Sequence, residues 1–276
     1  MSDVLKVGLV QLNAGPSILE NLKVTETYIR QAAAQGAQLI LTPENTCHIR
    51  SPATQKRESA LPEETNPVLK RFRELAAELK VWLVAGSVSI PLPDGMIANR
   101  CFVFDDKGDI VARYDKIHLF DVDLPTGERH RESNLCKAGD EAVVVSTPWA
   151  ALGLAICYDL RFASQFRTMA LAGAEILSVP AAFTVPTGQA HWHTLLRARA
   201  IENGAFVVAP AQCGIHEGGR QTYGHSLIID PWGRIIAEAG EEPCVLMADI
   251  NLDDVKAARS SIPSLQHDRD FSLKKA

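Results

Sequence analysis

The sequence predicts an α/β fold in which two mixed sheets pack face to face, each covered by helices. Three observations carry this expectation. Short apolar runs alternate with segments of helical periodicity over most of the chain. Strand-like segments follow one another directly between 81 and 114 and again between 225 and 250, and no internal repeat divides the chain. Such hairpin-like succession disfavours a barrel of eight βα units, where every parallel strand needs a helical crossover. Two layers of sheet flanked by helices bury the apolar faces instead.

Taken in order, residues 7–11 open as a strand. Ser17 and Glu20 have capping-box spacing, which satisfies free backbone donors at a helix start, so a helix is expected from there to about Gly36. A strand at 39–42 ends in Pro43-Glu44-Asn45, and a polar segment leads to a helix over 66–80. Strands at 81–90, 98–104 and 110–114 follow, with Asp105-Asp106-Lys107-Gly108 as the tight connection between the last two. The polar segment 115–140 is long for structureless chain in a compact domain, which marks it as functional. Strands at 142–146 and 151–156 lead to Cys157. Beyond it come a helix at 164–172, a strand at 176–179, a helix at 191–203 and a strand at 205–209. Strands at 225–230, 234–238 and 245–250 finish the pattern, with Pro231-Trp232-Gly233 as a turn. One domain over 1–276 accommodates all of this. The polar tail 263–276 is expected to be loosely held or to lie at a dimer interface.

Composition narrows the function classes. With 276 residues, 46% hydrophobic and 22% charged, the chain has ample material for a globular core. Its formal charge of −5 offers no broad basic surface, so nucleic acid and anionic membranes are not expected partners. No apolar run approaches the ~20 residues of a membrane-spanning helix. The N-terminal MSDVLKVGLVQLNAG lacks a signal-peptide pattern, and a cytoplasmic protein is expected. Cysteines at 47, 101, 136, 157, 213 and 244 form no C-x-x-C pair, which argues against a disulfide framework and a zinc ribbon. The useful question is which one is reactive.

Strand ends in α/β folds face ligand crevices, and three strand ends carry chemically capable side chains. Glu44 ends LILTPE, Lys116 ends IVARYDK and Cys157 ends LGLAIC. Each alone has a bland reading: a loop carboxylate, a solvated charge, a small buried hydrophobe. Together they supply a nucleophile, a base and a cation for an oxyanion without a metal. Cys157 also stands where a strand turns sharply into Tyr158-Asp159-Leu160-Arg161. A helix start there is expected to lower the thiol pKa and offer oxyanion donors.

LTPENT, YDKIHLFD and AICYDLRF, in that order, resemble the three signature blocks of the nitrilase superfamily of carbon–nitrogen hydrolases. AHWHTLLRARAIEN, AQCG, YGHSLIIDPWG and PSLQH resemble its Nit branch, and the similarity runs from Val7 to about Gln266. The resemblance implies an αββα sandwich pairing as an αββα–αββα homodimer, with no cofactor and no metal. It implies Cys157 as nucleophile, Glu44 as general base and Lys116 beside the oxyanion, aided by the Tyr158 backbone N–H. A second glutamate before the nucleophile strand matches Glu132 in RHRESN, with Glu128 as a nearby decoy. The implied activity is amidase action on a small acid amide, deaminated glutathione first, with ω-amides of 2-oxo dicarboxylates, N-carbamoyl compounds and nitriles as alternatives. In this branch QH is often followed by two arginines; here HDRDF follows, which leaves the tail's role open.

Arg161, four residues past Cys157, either holds a substrate carboxylate or pairs structurally with Asp159. His191 and His193 in HWH invite a metal reading, but residues two apart on a helix do not share a face. His118, Cys213 and His225 are each read as pocket-lining or structural. Arg197 and Arg199 read as charged flanks of a packed helix, without chemistry. Two further classes stay in view: a metal-dependent hydrolase using the histidines, and a non-catalytic binding protein, which has less reason to retain Glu44, Lys116, Glu132 and Cys157.

Overall fold

A computed structural model describes residues 4–50, 53–125 and 127–275. The first half builds β1 (Val4–Gln11), α1 (Ile18–Ala34), β2 (Leu39–Leu41), α2 (Ala53–Glu58), α3 (Pro67–Leu79), β3 (Trp82–Pro91), β4 (Ile97–Phe104) and β5 (Ile110–Asp115). A small hairpin, β6 (Asp121–Asp123) and β7 (Arg129–Arg131), leads to β8 (Val143–Ser146) and β9 (Ala151–Leu154). Then come α4 (Ala163–Leu171), β10 (Ile176–Ser178), α5 (Val185–Asn203) and β11 (Phe206–Ala209). A second small hairpin, β12 (Cys213–Ile215) and β13 (Gln221–Tyr223), precedes β14 (Leu227–Ile229), β15 (Ile235–Glu238), β16 (Cys244–Asn251) and α6 (Asp253–Ser261).

Two six-stranded mixed sheets result, in the orders β16-β1-β2-β3-β4-β5 and β15-β14-β11-β10-β9-β8. The two-sheet expectation therefore holds. The strands read as continuous apolar runs because both faces are buried. In β2, Leu39 and Leu41 join the layer between the sheets, with Val84, Leu152, Leu154 and Ile176, while Ile40 turns outward to meet Ile29, Phe72 and Leu75 of the helices. Each of these fully buried side chains contributes about 1.5–3 kcal/mol.

Several boundaries moved for identifiable reasons. Ser17 is the N-cap of α1 but its side chain makes no capping bond. Asn21 does the tying instead, bonding the backbone of Gly15 in both directions and the carbonyl of Cys47. Helix α5 begins at Val185 rather than 191, with a proline in its first turn, where its missing N–H costs nothing. Gly188 inside it is required by contact, since a Cβ there would sit 2.2 Å from the Tyr223 ring. Segment 115–140 is not structureless: it holds the β6–β7 hairpin and a 3₁₀ turn at Glu132–Asn134. Helices α2 and α6 and the β12–β13 hairpin were not anticipated.

Arg199 is not a charged flank. It is 5% exposed and donates from Nε and Nη2 to the Leu160 carbonyl at 3.0 and 2.8 Å, tying α5 beneath the turn that carries Cys157. Arg197 likewise donates to the Gly233 carbonyl at 2.8 Å. Replacing Arg199 by Met is expected to lower Tm by several degrees through loss of these two charge-assisted bonds. An unchanged melting curve would show that they contribute nothing.

Candidate active site

The two sheets place their strand ends side by side. Glu44 follows β2 and Lys116 follows β5 in one sheet; Cys157 follows β9 in the other. Gly86 in β3 makes the close approach possible: a Cβ there would lie 2.1 Å from the Thr42 carbonyl and 2.6 Å from Pro180 of the opposite sheet. All three side chains line one cavity of about 160 Å³ together with Glu132.

Lys116 is 2% exposed and donates to Glu44 Oε1 and Glu132 Oε2, each at 2.9 Å. Asn99 of β4 bridges the same two carboxylates, donating from Nδ2 at 2.9 Å to Glu44 and 3.1 Å to Glu132. The remaining oxygen of Glu44 accepts from the Ala182 N–H at 3.1 Å, which crosses from one sheet to the other. Glu132 also accepts from the Phe120 N–H at 2.7 Å. Of the two glutamates in this segment, Glu132 is the one that reaches Lys116 and lines the cavity. Glu128, the decoy, is exposed, faces His130 and does not line the cavity.

The electrostatics follow from this burial. Burial alone raises a carboxylate, but the Lys116 ammonium overrides it and holds Glu44 well below the usual range. Burial alone lowers an amine, but Glu132 and Glu44 hold Lys116 well above its ordinary value. The thiol behaves differently from the sequence expectation. Burial and then the Glu44 charge push Cys157 well above its ordinary value, and Lys116 only partly offsets them. The short 3₁₀ turn Cys157–Arg161 does not rescue it, because the Cys157 N–H is already bonded to the Pro180 carbonyl at 2.9 Å. Burial also lifts the Cys47 thiol to about 12, so a raised thiol is not what distinguishes Cys157. Its neighbours are.

The sharp turn is present. Cys157 has φ +49°, the left-handed region that a non-glycine residue occupies at a cost of about 1–2 kcal/mol. The next N–H, that of Tyr158, meets no acceptor among the described residues. Asp159 fixes the turn from below, accepting from Tyr114 Oη at 2.6 Å, Ile156 N–H at 2.8 Å and His118 N–H at 3.0 Å. That network settles two sequence readings. Asp159 is not the partner of Arg161, and His118, stacked on Phe162 with ring centroids 3.5 Å apart, supports the turn rather than lining the cavity. Arg161 lies outside the cavity lining. It reaches His191 at 3.4 Å and packs over the rings of Tyr158 and Phe183, which do line it. Cys213 is buried away from the site.

Asn99, which braces the cavity, and the cationic lining of Arg50, Lys56, Arg131 and Arg220 escaped the sequence reading. Asn99 left a signal, since asparagine is depleted in strand interiors yet stands within IANRCFVF. The four cations left none. Arg50 donates to Gln55, Lys56 to Asn45 and Arg220 to the Ala182 carbonyl, all neutral groups, whereas Arg131 is paired with Asp123 at 2.7 Å. Arg220 Nε is buried with no acceptor among the described residues.

The sequence profile described as carbon–nitrogen hydrolase matches residues 6–260. The chain belongs to the carbon–nitrogen hydrolase family. A Yersinia enterocolitica protein named deaminated glutathione amidase is 42% identical over 267 residues, covering 95% of this chain and 92% of its own. The crystal structure of Saccharomyces cerevisiae Nit3, described as a member of branch 10 of the nitrilase superfamily, superimposes with a TM-score of 0.85. It shares 29% identity, over 94% of either chain. An amidase mutant from Nesterenkonia sp. AN1 has a TM-score of 0.80 and 28% identity, over 96% of this chain and 94% of its own. In that protein the acetamide moiety of fluoroacetamide is added covalently at the active site cysteine. This chain is therefore a carbon–nitrogen hydrolase of nitrilase-like fold. No helix among its described residues is long and apolar enough to cross a membrane.

Proposed function

We propose that this carbon–nitrogen hydrolase is a cysteine amidase that cleaves deaminated glutathione to 2-oxoglutarate and cysteinylglycine. The observation that carries the substrate class is the lining of the cavity. Around the buried Cys157, Glu44, Lys116 and Glu132, it presents Arg50, Lys56, Arg131 and Arg220. Both carboxylates of the cavity bind Lys116, so the space left for substrate is cationic. Deaminated glutathione carries a carboxylate at each end, and relatives at this level of identity bear its name.

In the mechanism, Glu44 accepts the Cys157 proton as sulfur attacks the amide carbon. A thiol held above its ordinary value needs such a base at the moment of attack, because little thiolate stands ready at neutral pH. Two of the three Lys116 protons point at Glu44 and Glu132, and the third stabilises the oxyanion with the Tyr158 N–H. Glu44 returns its proton to the departing amine of cysteinylglycine. It then takes a proton from water, whose oxygen attacks the thioester; the C–S bond breaks, Glu44 returns that proton to the Cys157 sulfur, and 2-oxoglutarate is released. Glu132 and Asn99 hold Lys116 and Glu44 in register.

Comparing kcat/KM for deaminated glutathione, 2-oxoglutaramate, N-carbamoyl amino acids and nitriles tests the assignment, and a clear preference for any of the last three overturns it. Arg220→Met is expected to raise KM for deaminated glutathione about 10- to 100-fold with kcat little changed, as an anion-binding arginine requires. An unaltered KM would remove Arg220 from substrate recognition. Glu44→Gln is expected to move iodoacetamide alkylation of Cys157 to lower pH, because the charge that raises the thiol is gone, while hydrolysis is lost. Alkylation at the same or higher pH would show that the carboxylate does not face the sulfur.

We also propose that the protein is one domain, cytoplasmic and homodimeric. Six free cysteines suit a reducing compartment. Leu171, Ile201, Trp232 and Ile262 are each more than half exposed, apolar surface of the kind a second copy covers. Light scattering on the purified chain reads the oligomer directly.

A further inference from the structure

Away from the thiol cavity, one cluster of metal-ligating side chains takes no part in the chemistry above. His193 comes from α5, His225 from the connection between β13 and β14, and Glu238 ends β15. Glu238 Oε1 lies 2.9 Å from His193 Nε2 and 3.0 Å from His225 Nδ1, and one donor atom from each residue lies within 4.8 Å of the others. We propose that His193, His225 and Glu238 form a binding site for a divalent transition-metal ion of the Zn²⁺, Co²⁺ and Ni²⁺ class.

The donor set suits that class: two imidazole nitrogens and one carboxylate oxygen match borderline cations and not the oxygen-rich shell of Ca²⁺ or Mg²⁺. The spacing suits it too. A tetrahedral ion with bonds of about 2.0–2.2 Å holds its ligands roughly 3.3 Å apart. That is only a few tenths of an ångström beyond the present nitrogen–oxygen distances, and the three donor atoms all lie within 4.8 Å of one another, so an ion that replaces the shared protons needs the ligands to shift only slightly. The ion pairs of Glu238 among the described residues are with these two histidines, so no lysine or arginine has to be displaced.

The surroundings hold the histidines in place. His225 has φ +53° directly after Gly224 at φ +70°, a left-handed pair that swings its ring toward Glu238. The His225 N–H donates to the Gly240 carbonyl at 3.0 Å, and its carbonyl accepts from Trp192 Nε1 at 2.7 Å. Tyr223 stacks on the His225 ring with centroids 4.4 Å apart and meets the His193 ring edge-on at 6.0 Å. Side-chain exposures of 30, 21 and 38% leave a solvent approach and room for water to complete the coordination. An ion held here clamps α5, whose first turns line the thiol cavity, to the strands behind it. His191 points elsewhere, to Arg161, as residues two apart on a helix must.

The full chain, stripped of metal with chelator, is titrated with CoCl₂ and followed by calorimetry and visible absorbance. One equivalent should bind, with d–d bands of a nitrogen- and oxygen-ligated ion. His193→Ala and Glu238→Gln should each weaken binding by more than about tenfold, and His191→Ala should leave it unchanged. Circular dichroism without metal confirms that each variant is folded, and should either fail, the other carries the test. Absence of saturable binding, equal binding by both ligand variants, or a thiolate-to-cobalt charge-transfer band that places the ion on cysteine overturns the site. None of these readouts depends on amide hydrolysis, so the site stands or falls apart from the proposed activity.

Discussion

Cys157→Ala is expected to leave a folded protein whose amide hydrolysis has fallen by at least about 10⁴-fold, the scale on which loss of a covalent nucleophile is felt. The fold should survive because the position asks little of the thiol structurally. Alanine occupies the same left-handed backbone at the same cost as cysteine, and the methylene that packs between the sheets is retained. Cys157→Gly should go further and raise Tm, since glycine relieves a strain of about 1 kcal/mol while abolishing turnover equally. Hydrolysis retained by the alanine variant at more than a small fraction of the rate would move the nucleophile elsewhere.

Lys116→Met is expected to cost about 3–5 kcal/mol of stability as well as the activity, because it strands Glu44 and Glu132 in the interior without their cation. The pH dependence gives this prediction its sign. In the intact protein Glu44 is held below its unfolded value, so its contribution is present above about pH 4.3 and lost as pH falls toward the folded value. Lys116 is held above its unfolded value, so its contribution is present below about pH 10.4 and lost as pH rises through the folded value. Between those limits the pair's contribution is flat. Without Lys116, burial becomes the leading influence on Glu44 and raises it, so the variant gains stability as pH falls and the carboxylates protonate. Thermal melts at pH 7.5 and pH 5 should therefore show the gap between intact protein and variant narrowing. A gap that stays constant would mean that the carboxylates do not depend on Lys116 for their ionisation.

Glu44, Lys116 and Cys157 were legible in the sequence because each ends an apolar run within a block that resembles a known family, whereas Glu132, in the polar stretch RHRESN, was reached only through that resemblance. The strand count was legible for a related reason: strands buried on both faces leave uninterrupted apolar runs such as LILT and LGLAI. Short hairpins such as β12–β13 left no such trace, since three partly exposed residues bury too little to impose a period. The capping box failed because Asn21, one residue further on, reaches the loops at Gly15 and Cys47 and anchors the helix start that Ser17 was expected to hold.

The residue types at the strand ends, a thiol, a carboxylate and an ammonium, were determined by the sequence alone. The ionisation of those groups was decided only by the tertiary structure. A helix start read locally predicts a lowered thiol, whereas the folded chain buries that thiol against Glu44 and raises it. The cationic lining was decided the same way, because Arg50 and Lys56 beside and within α2, Arg131 of β7 and Arg220 of the β12–β13 connection meet only when the chain has folded. Coulomb and desolvation energies depend on distance and burial in space, and neither is encoded in spacing along the chain.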